Sequence, residues 1–282
     1  MGFVKSLIVF RHGHYPHNTM IDEEGAEVLA EWEKIKQQSP AVREKFKQEV
    51  IARFMTAYGA DHDLTAGISG EGAHQAVKVK RFLGEQRHKV AVCLTSPYLR
   101  PQQTAGIIFE DSSVRIKPVP ELRERNLGIF THIPRPVFHA LFPDLAAAKG
   151  EFPFSWRPLQ MINGQLVPLR ESHADRLPAV QSVLQRADEL KPGKTVAIST
   201  HADTMAEFRM LPRLLALNSD ELVKRPISPV LQNPLWIQNC AVDFYEERGS
   251  DTGWMTHFRS VVLSGESPYD TGWLEIDRRH LK

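Results

Sequence analysis

The sequence predicts an α/β fold, a three-layer sandwich in which helices cover both faces of a mostly parallel central sheet. Three apolar runs support this prediction, at residues 6–10, 90–95 and 195–200. Each run is short, rich in Val, Ile or Leu, apolar on both faces and followed by a helical pattern. Strands buried on both sides have this composition, and they occur in parallel sheets between helices.

Three further runs complete the predicted strands, at residues 114–119, 240–245 and 255–262, although their alternation is less regular. Residues 22–58 are charged and helical in period, and Ser39 and Pro40 have the pattern of an N-cap followed by proline at the first helical position. We therefore expect a helical hairpin inserted at about residues 20–60.

A second insertion is expected at about residues 130–172. Residues 131–171 are rich in Pro, Phe, Trp and Arg and have weak periodicity, which is typical of a loop-rich cap over a site. With 282 residues, the chain is long enough for one large domain with insertions. The simplest interpretation is a single domain over residues 1–282.

The charge of the chain is balanced, with 35 Lys plus Arg against 34 Asp plus Glu. Such a chain has no overall field for nucleic acid or an anionic membrane, so we expect neither as a partner. No apolar run approaches the roughly 18 residues of a membrane span. Cys93 and Cys240 lie in apolar runs without metal-ligand spacing, which favours a cytoplasmic protein. The sequence does not indicate an oligomeric state.

Ligands of open parallel sheets bind beyond the carboxyl ends of the strands. Residue types that bind or attack phosphate follow three of the predicted strands: Arg11, His12, Gly13 and Asn18 after the first, Ser96 and Arg100 after the second, and His201 after the third. Arginine forks neutralise phosphate oxygens, and an imidazole can attack phosphorus. This set predicts phosphoryl transfer.

The order of these motifs resembles that of the histidine phosphatase superfamily, which includes cofactor-dependent phosphoglycerate mutases and many phosphatases. The matching segments are Arg11-His12-Gly13 with Asn18, Ile68 to Ala76, Ser96 to Ala105, Leu122 to Gly128, and Ser199-Thr200-His201, with a weaker match from Glu171 to Arg176 and from Asn239 to Tyr245. One such motif is weak on its own, but five in order at strand ends and helix starts are specific.

The resemblance implies a phosphohistidine intermediate on His12, with Glu124 as the general acid and base. Glu121 is the competing acid, and the match from Leu122 to Gly128 favours Glu124. The attacking nitrogen of His12 must be unprotonated, so its other nitrogen needs an acceptor, for which we expect a backbone carbonyl near Gly13.

The phosphoryl group would be surrounded by Arg11, Arg100 and His201, and Asn18 would add a neutral donor. Candidate contacts to the rest of the substrate are Gly13, His14, His17 and Ala202. His12, His14 and His17 could alternatively form a transition-metal site. No carboxylate or cysteine partner is evident in that cluster, so we predict neither a metal nor a cofactor.

The sequence departs from the superfamily pattern at several positions. Ala202 and Asp203 follow the second histidine where glycine is common, and Arg170 replaces the glycine before the Glu-Ser pair. The arginine-rich cap of the mutases is not recognisable, although four arginines could be solvated charges or substrate clamps: Arg135, Arg157, Arg170 and Arg176.

The sequence thus predicts a phosphomonoesterase that acts on a small phosphorylated substrate. Two alternatives stay open: a phosphoglycerate mutase-type phosphotransferase, and a catalytically idle binding module of the same fold. The presence of both a nucleophile and an acid argues against the binding module, which needs neither.

Overall fold

The computed structural model describes residues 5–57, 64–85, 89–130, 133–151, 157–162, 165–168, 171–191, 193–214, 240–246, 257–263, 269–270 and 274–275. The chain divides into two compact units. The first, the sheet unit, comprises residues 1–15, 66–124 and 176–282, and the second, the helical unit, comprises residues 16–65 and 125–175.

The elements follow one another along the chain as β1 (Ser6–Arg11), α1 (Pro16–Ile35), α2 (Pro40–Ala57), α3 (Gly70–Glu85), β2 (Val90–Thr95), α4 (Leu99–Phe109), β3 (Arg115–Pro118), α5 (Arg135–Leu141), α6 (Pro143–Glu151), β4 (Leu159–Ile162), β5 (Gln165–Pro168), α7 (His173–Leu190), β6 (Thr195–Thr200), α8 (Ala202–Leu214), β7 (Ala241–Glu246), β8 (His257–Val262), β9 (Tyr269–Asp270) and β10 (Leu274–Glu275). Two 3₁₀ turns, Pro120–Leu122 and Gly128–Phe130, lie between β3 and α5.

The central sheet confirms the predicted α/β class. Its strands lie in the order β3, β2, β6, β1, β7, and the first four run parallel while β7 is antiparallel to β1. Beyond β7, the antiparallel strand β8 continues the sheet and pairs with β9 and β10. The carboxyl ends of β1, β2 and β6 therefore meet at one edge.

Both faces of β1 are buried, which explains its uninterrupted apolar sequence. Ile8 and Phe10 belong to a core cluster with buried side chains of α3 and α4, such as Val79 and Ile108. Because side chains alternate along a strand, Leu7 and Val9 point to the opposite face, where they are also fully buried. Helix α8 packs against β1, and its apolar residues Met205 and Phe208 are buried as well.

The predicted helical hairpin is confirmed in the helical unit as α1 and α2. Helix α2 begins at Pro40, as predicted, whereas α1 begins at Pro16, earlier than expected. Proline fixes φ near the helical value and suits the first helical position, so it starts a helix directly after the preceding loop.

The cap segment contains more regular structure than its weak periodicity predicted. Helices α5 and α6 are seven and nine residues long, and β4 and β5 form a two-stranded antiparallel hairpin. Helices this short give little periodic signal. Their apolar side chains form one core with those of α1 and α2: Val28, Phe46, Val50, Ile51, Phe54, Phe130, Ile133, Val137, Phe138, Leu141 and Ala146. The two insertions therefore build a common core.

Among the described helices, none combines the length and the apolar content that a bilayer crossing requires.

The core of the helical unit depends on Phe54, whose side chain is fully buried in α2, whereas the adjacent Met55 is 47% exposed. We expect Phe54→Ala to lower the free energy of unfolding by about 3–5 kcal/mol, since it removes transfer energy and leaves a cavity. Met55→Ala should change it by less than about 0.5 kcal/mol. Urea unfolding followed by circular dichroism measures both, and similar losses in the two variants would contradict the packing of α2.

Candidate active site

His12 lies at the first position after β1 and is almost fully buried. Its backbone N–H donates to the carbonyl of Thr200 on β6 at 3.0 Å, and its own carbonyl accepts from the N–H of Cys240 at 3.3 Å. The ring nitrogen Nδ1 lies 2.7 Å from the carbonyl oxygen of Gly13. Because a carbonyl only accepts, Nδ1 carries the proton, and Nε2 keeps its lone pair.

His12 also has an unusual charge environment. Burial lowers its pKa well below the ordinary value, and the positive charges of Arg100 and Arg11 lower it further. The imidazole is therefore neutral at neutral pH. A neutral ring with a free lone pair on Nε2 is the form that can act as a nucleophile.

The turn after His12 is fixed by helices α3 and α4. The N–H of Gly13 donates to Oγ1 of Thr104 at 3.0 Å, and the N–H of His14 donates to Oε1 of Gln75 at 2.9 Å. The His14 side chain, a predicted substrate contact, has its Nδ1 2.9 Å from Oγ of Ser69. These bonds tie the turn after His12 to both helices.

The backbone of this turn also lies very close to the start of α3, and this approach requires glycine at one position in each of the two segments. A Cβ on Gly13 would lie 2.5 Å from the carbonyl oxygen of Gly72, and a Cβ on Gly72 would overlap the carbonyl oxygen of His14. The start of α3 can therefore pack against the loop only without side chains at both positions. Gly13 thus has a structural role of its own, and Gly72 accounts for part of the second sequence motif.

His201 follows β6 directly and lies beside His12, with 5.2 Å between the ring centroids. Its Nε2 is 2.8 Å from Oγ of Ser96, whose oxygen also accepts the N–H of Tyr98 at 3.3 Å. Which of these two atoms donates depends on the tautomer of the ring, because the Ser96 hydroxyl can both donate and accept. Within the described residues, Nδ1 makes no hydrogen bond, and Oε2 of Glu124 lies 4.0 Å away.

His201 is also neutral at neutral pH. Burial lowers its pKa well below the ordinary value, and the nearby His12, Arg100 and Arg11 lower it further. In the tautomer with the proton on Nδ1, the neutral imidazole is a buried hydrogen-bond donor that has no acceptor among the described residues. Such a donor suits an anionic ligand.

Arg100 lies in the first turn of α4 and is only 3% exposed, which argues against a surface charge on a helix. Its guanidinium carbon is 4.3 Å from the ring centroid of Tyr15 and 5.8 Å from that of Tyr98. The two rings also make edge contacts to the histidines, Tyr15 to His12 at 5.7 Å and Tyr98 to His201 at 5.0 Å between centroids. The tyrosines therefore bracket the cationic centre of the site.

Sequence reasoning did not single out Tyr15 or Tyr98. Each tyrosine stands within three residues of a motif histidine or arginine, and aromatic rings stack on guanidinium groups. This position in the sequence is the signal from which both could have been predicted as site residues.

Arg11, the last residue of β1, brings a second positive charge to this edge. Burial lowers its pKa, while the negative charge of Glu124 opposes that shift. An arginine stays protonated in proteins, so Arg11 is a permanent cation beside the carboxylate.

The two candidate acids occupy different surroundings. Glu124 is 22% exposed in its side chain and approaches His201, whereas Oε1 of Glu121 is 4.0 Å from Nη2 of Arg186 on α7. The structure therefore brings Glu124, and not Glu121, to the histidines.

Three predicted contacts are only partly described. His17 and Asn18 belong to the first turn of α1, and their side chains lie outside the described residues. Ala202 begins α8 next to His201 and is partly buried. In the described part of the chain, no three His, Cys, Asp or Glu side chains are grouped so that they could hold a metal ion.

The four arginines left open by the sequence differ in environment. Arg135 is exposed beside His139, and Arg157 is 47% exposed with its Nη2 3.2 Å from Oδ1 of Asp175. Arg170 lies outside the described residues. Arg176 is 4% exposed and hydrogen-bonded within the sheet unit.

The buried cation Arg100, the partly buried cation Arg11, the neutral imidazoles of His12 and His201 and the carboxylate of Glu124 thus converge at the carboxyl edge of the sheet. The sequence profile of the histidine phosphatase superfamily (branch 1) matches residues 55–229, more than half of the chain. The chain belongs to the histidine phosphatase superfamily. The matched range begins near the end of α2 and does not include the turn that carries His12.

Individual members of the histidine phosphatase superfamily are similar to this chain. It is 29% identical over 223 residues to the probable phosphoglycerate mutase GpmB of Yersinia enterocolitica, which covers 77% of this chain and 86% of that protein. The structure resembles a mycobacterial glucosyl-3-phosphoglycerate phosphatase with a TM-score of 0.55 and 16% identity, covering 93% of this chain and 100% of that one. YhfR of Bacillus stearothermophilus gives a TM-score of 0.54 at 17% identity, with coverages of 86% and 92%. At such identities the structural likeness shows a shared fold.

The neutral, buried histidines make stability depend on pH. Below the ordinary value of 6.5, an unfolded histidine binds a proton that folded His201 does not, so stability is complete above that pH and falls as the pH is lowered. Between about pH 7.5 and about pH 5, His201 should account for a loss of up to about 2 kcal/mol.

Unfolding free energies of wild type, His201→Gln and the exposed His74→Gln at both pH values measure this loss. The pH-dependent loss should shrink in His201→Gln and stay at the wild-type value in His74→Gln. An unchanged pH dependence in His201→Gln would show that the folded ring titrates normally.

Proposed function

We propose that the protein is a phosphomonoesterase that hydrolyses a small phosphate ester through a phosphohistidine on His12. The observation that supports this most directly is the state of His12, which is buried and neutral, with Nδ1 bound to the Gly13 carbonyl and the ring centroid 5.2 Å from that of His201. A neutral imidazole whose Nδ1 carries the proton presents the lone pair of Nε2, which is the form that can attack phosphorus.

In the first step, Nε2 of His12 attacks phosphorus, the N–P bond forms and the bond from phosphorus to the ester oxygen breaks. The departing alkoxide takes a proton from the carboxyl group of Glu124 and leaves as an alcohol. Arg11, Arg100 and the Nδ1–H of His201 donate to the phosphoryl oxygens, and each such donor contributes on the order of 3 kcal/mol to the transition state.

In the second step, water attacks the phosphorus of the phosphohistidine. The Glu124 carboxylate accepts a proton from that water, the N–P bond breaks, and inorganic phosphate is released. His12 returns to its neutral state with Nδ1 still donating to Gly13. One carboxyl group serves both steps, because it is deprotonated by the first and reprotonated by the second.

A mutase is the second candidate, and the likeness to a probable phosphoglycerate mutase favours it. A mutase must retain the phosphoenzyme against water and hold a second phosphate. Of the candidate clamp arginines, Arg157 is paired with Asp175 and Arg176 is buried, which supports hydrolysis. A coupled assay for interconversion of phosphoglycerates, run beside phosphate release, separates the two: interconversion faster than release would identify a mutase.

His12→Ala should lower the hydrolysis of p-nitrophenyl phosphate at least about 1,000-fold, because the nucleophile is lost. His74→Ala, which removes an exposed histidine of α3, should retain wild-type activity. Acid-labile, base-stable radiolabel from a phosphorylated substrate should accumulate on wild type and not on His12→Ala. Turnover in His12→Ala, or label on that variant, would refute the nucleophile.

Glu124→Gln should slow alkyl phosphates by about 100-fold or more, since an alkoxide leaves poorly without a proton. The same variant should slow cleavage of an activated aryl phosphate far less, because a phenolate needs little protonation. Glu121→Gln is the matched control and should behave as wild type towards both esters. If Glu121→Gln showed the selective loss instead, Glu121 would be the acid.

A further inference from the structure

The segment that carries Glu124 has no regular structure to satisfy its backbone. It follows the 3₁₀ turn Pro120–Leu122, and residues 123–127 belong to neither a helix nor a strand. Buried carbonyls in such a segment need side-chain partners. Four consecutive carbonyls here have them, at Glu121, Leu122, Arg123 and Glu124.

Arg176 on α7 holds two of these carbonyls. Its Nη2 donates to the carbonyl oxygen of Glu121 at 3.0 Å and to that of Arg123 at 2.8 Å. Its Nε donates to Oε2 of Glu207 on α8 at 3.3 Å, and the Glu207 side chain is fully buried. Arg176 therefore fixes the peptide that joins Glu121 to Leu122 and the one that joins Arg123 to Glu124.

The other two carbonyls are bound by neighbouring side chains. Oγ1 of Thr200 donates to the carbonyl of Leu122 at 2.9 Å, and Nη1 of Arg123 donates to that of Glu124 at 2.9 Å. Oγ1 of Thr204 adds a second bond to the carbonyl of Arg123 at 3.0 Å. Thr200 and Thr204 flank His201 in sequence. The segment that carries Glu124 is therefore bound by the same elements that position His201.

The charge of Arg176 is already compensated. Glu207 neutralises it, and two of its hydrogen bonds go to protein carbonyls, so it fits neither a solvated charge nor a substrate clamp. Breaking a buried pair is costly, yet a complete pair stabilises little compared with apolar packing. A buried arginine whose fork meets backbone carbonyls is better suited to fixing geometry.

We propose that Arg176 is a positioning residue that holds Glu124 within reach of the leaving-group oxygen. This inference rests on the proposed phosphatase function. Proton transfer requires the donor and acceptor to be at hydrogen-bond distance, and a displacement of about 1 Å can lower a rate about 100-fold. Without Arg176, the segment would retain its threonine bonds but would shift enough to lose efficient protonation.

The test compares Arg176→Met with Arg209→Met. Arg209 is a matched control, since it also pairs with a buried carboxylate of the same unit, that of Asp243, at 2.6 Å from Nε to Oδ2. For each folded variant, kcat and KM are measured with an alkyl phosphate and with an activated aryl phosphate.

Arg176→Met should lower kcat about 10- to 100-fold for the alkyl ester and less than about 3-fold for the aryl ester, with KM nearly unchanged. Arg176→Lys should recover part of the alkyl activity, because an ammonium can still donate to one carbonyl. Per folded molecule, Arg209→Met should show no preference between the esters. The double variant Glu124→Gln with Arg176→Met should lose little beyond Glu124→Gln alone, since both changes act on one proton transfer.

Equal losses of both esters in Arg176→Met, the same selective loss in Arg209→Met, or additive losses in the double variant would overturn the positioning role. If Arg176→Met does not fold, Thr204→Val replaces it, and a selective loss of a few-fold with the alkyl ester is expected. No selective loss in Thr204→Val would then count against the role. Glu124→Gln in the same assay tests the proposed acid separately from the role of Arg176. If Glu124→Gln slows both esters equally, the assignment of Glu124 as the acid fails. If it slows the alkyl ester selectively, only the assignment of Arg176 can fail.

Discussion

The parallel pairing of β1 with β6 is the constraint on which the site depends. In that register Arg11 lies opposite Thr200, so the next residues, His12 and His201, leave the sheet side by side. The N–H of His12 continues the ladder to the carbonyl of Thr200, which extends the pairing to the histidine itself. A slip of one residue would turn these side chains to opposite faces. The apolar burial of both strands therefore also fixes the distance between the two imidazoles.

Burial governs the chemistry of this pair as much as its geometry. Desolvation and the positive charges of Arg100 and Arg11 keep His12 neutral, so its ring keeps a lone pair at a place where two permanent cations attract an anion. The same surroundings would make a protonated imidazole costly. Tyr15 and Tyr98 cover the Arg100 guanidinium with aromatic surface, which is compatible with a cation that is shielded from water.

Much of the architecture was predictable because it rests on local patterns. The strands at residues 6–10, 90–95 and 195–200 are buried on both faces, and strands buried in this way have continuous apolar sequences. The α1 and α2 hairpin has a helical period over 18 to 20 residues per helix, which is long enough to recognise. The short helices α5 and α6 were not predicted, since their core is assembled from two distant insertions and leaves little local signal.

By itself, the sequence determined which residue types stand at the strand ends, and hence the kind of chemistry. Each motif directly follows an apolar run, so a recognised strand also gives the position of its motif. The sequence match already favoured Glu124 over Glu121, but only the tertiary structure showed that Glu124 approaches His201 and that Arg176 supports the segment that carries Glu124. These facts depend on contacts between residues more than 50 positions apart, such as the approach of Glu124 to His201 and the hydrogen bond from Arg176 to Arg123. A side chain that binds a backbone carbonyl recognises no particular partner residue, so such contacts leave no pattern in the sequence.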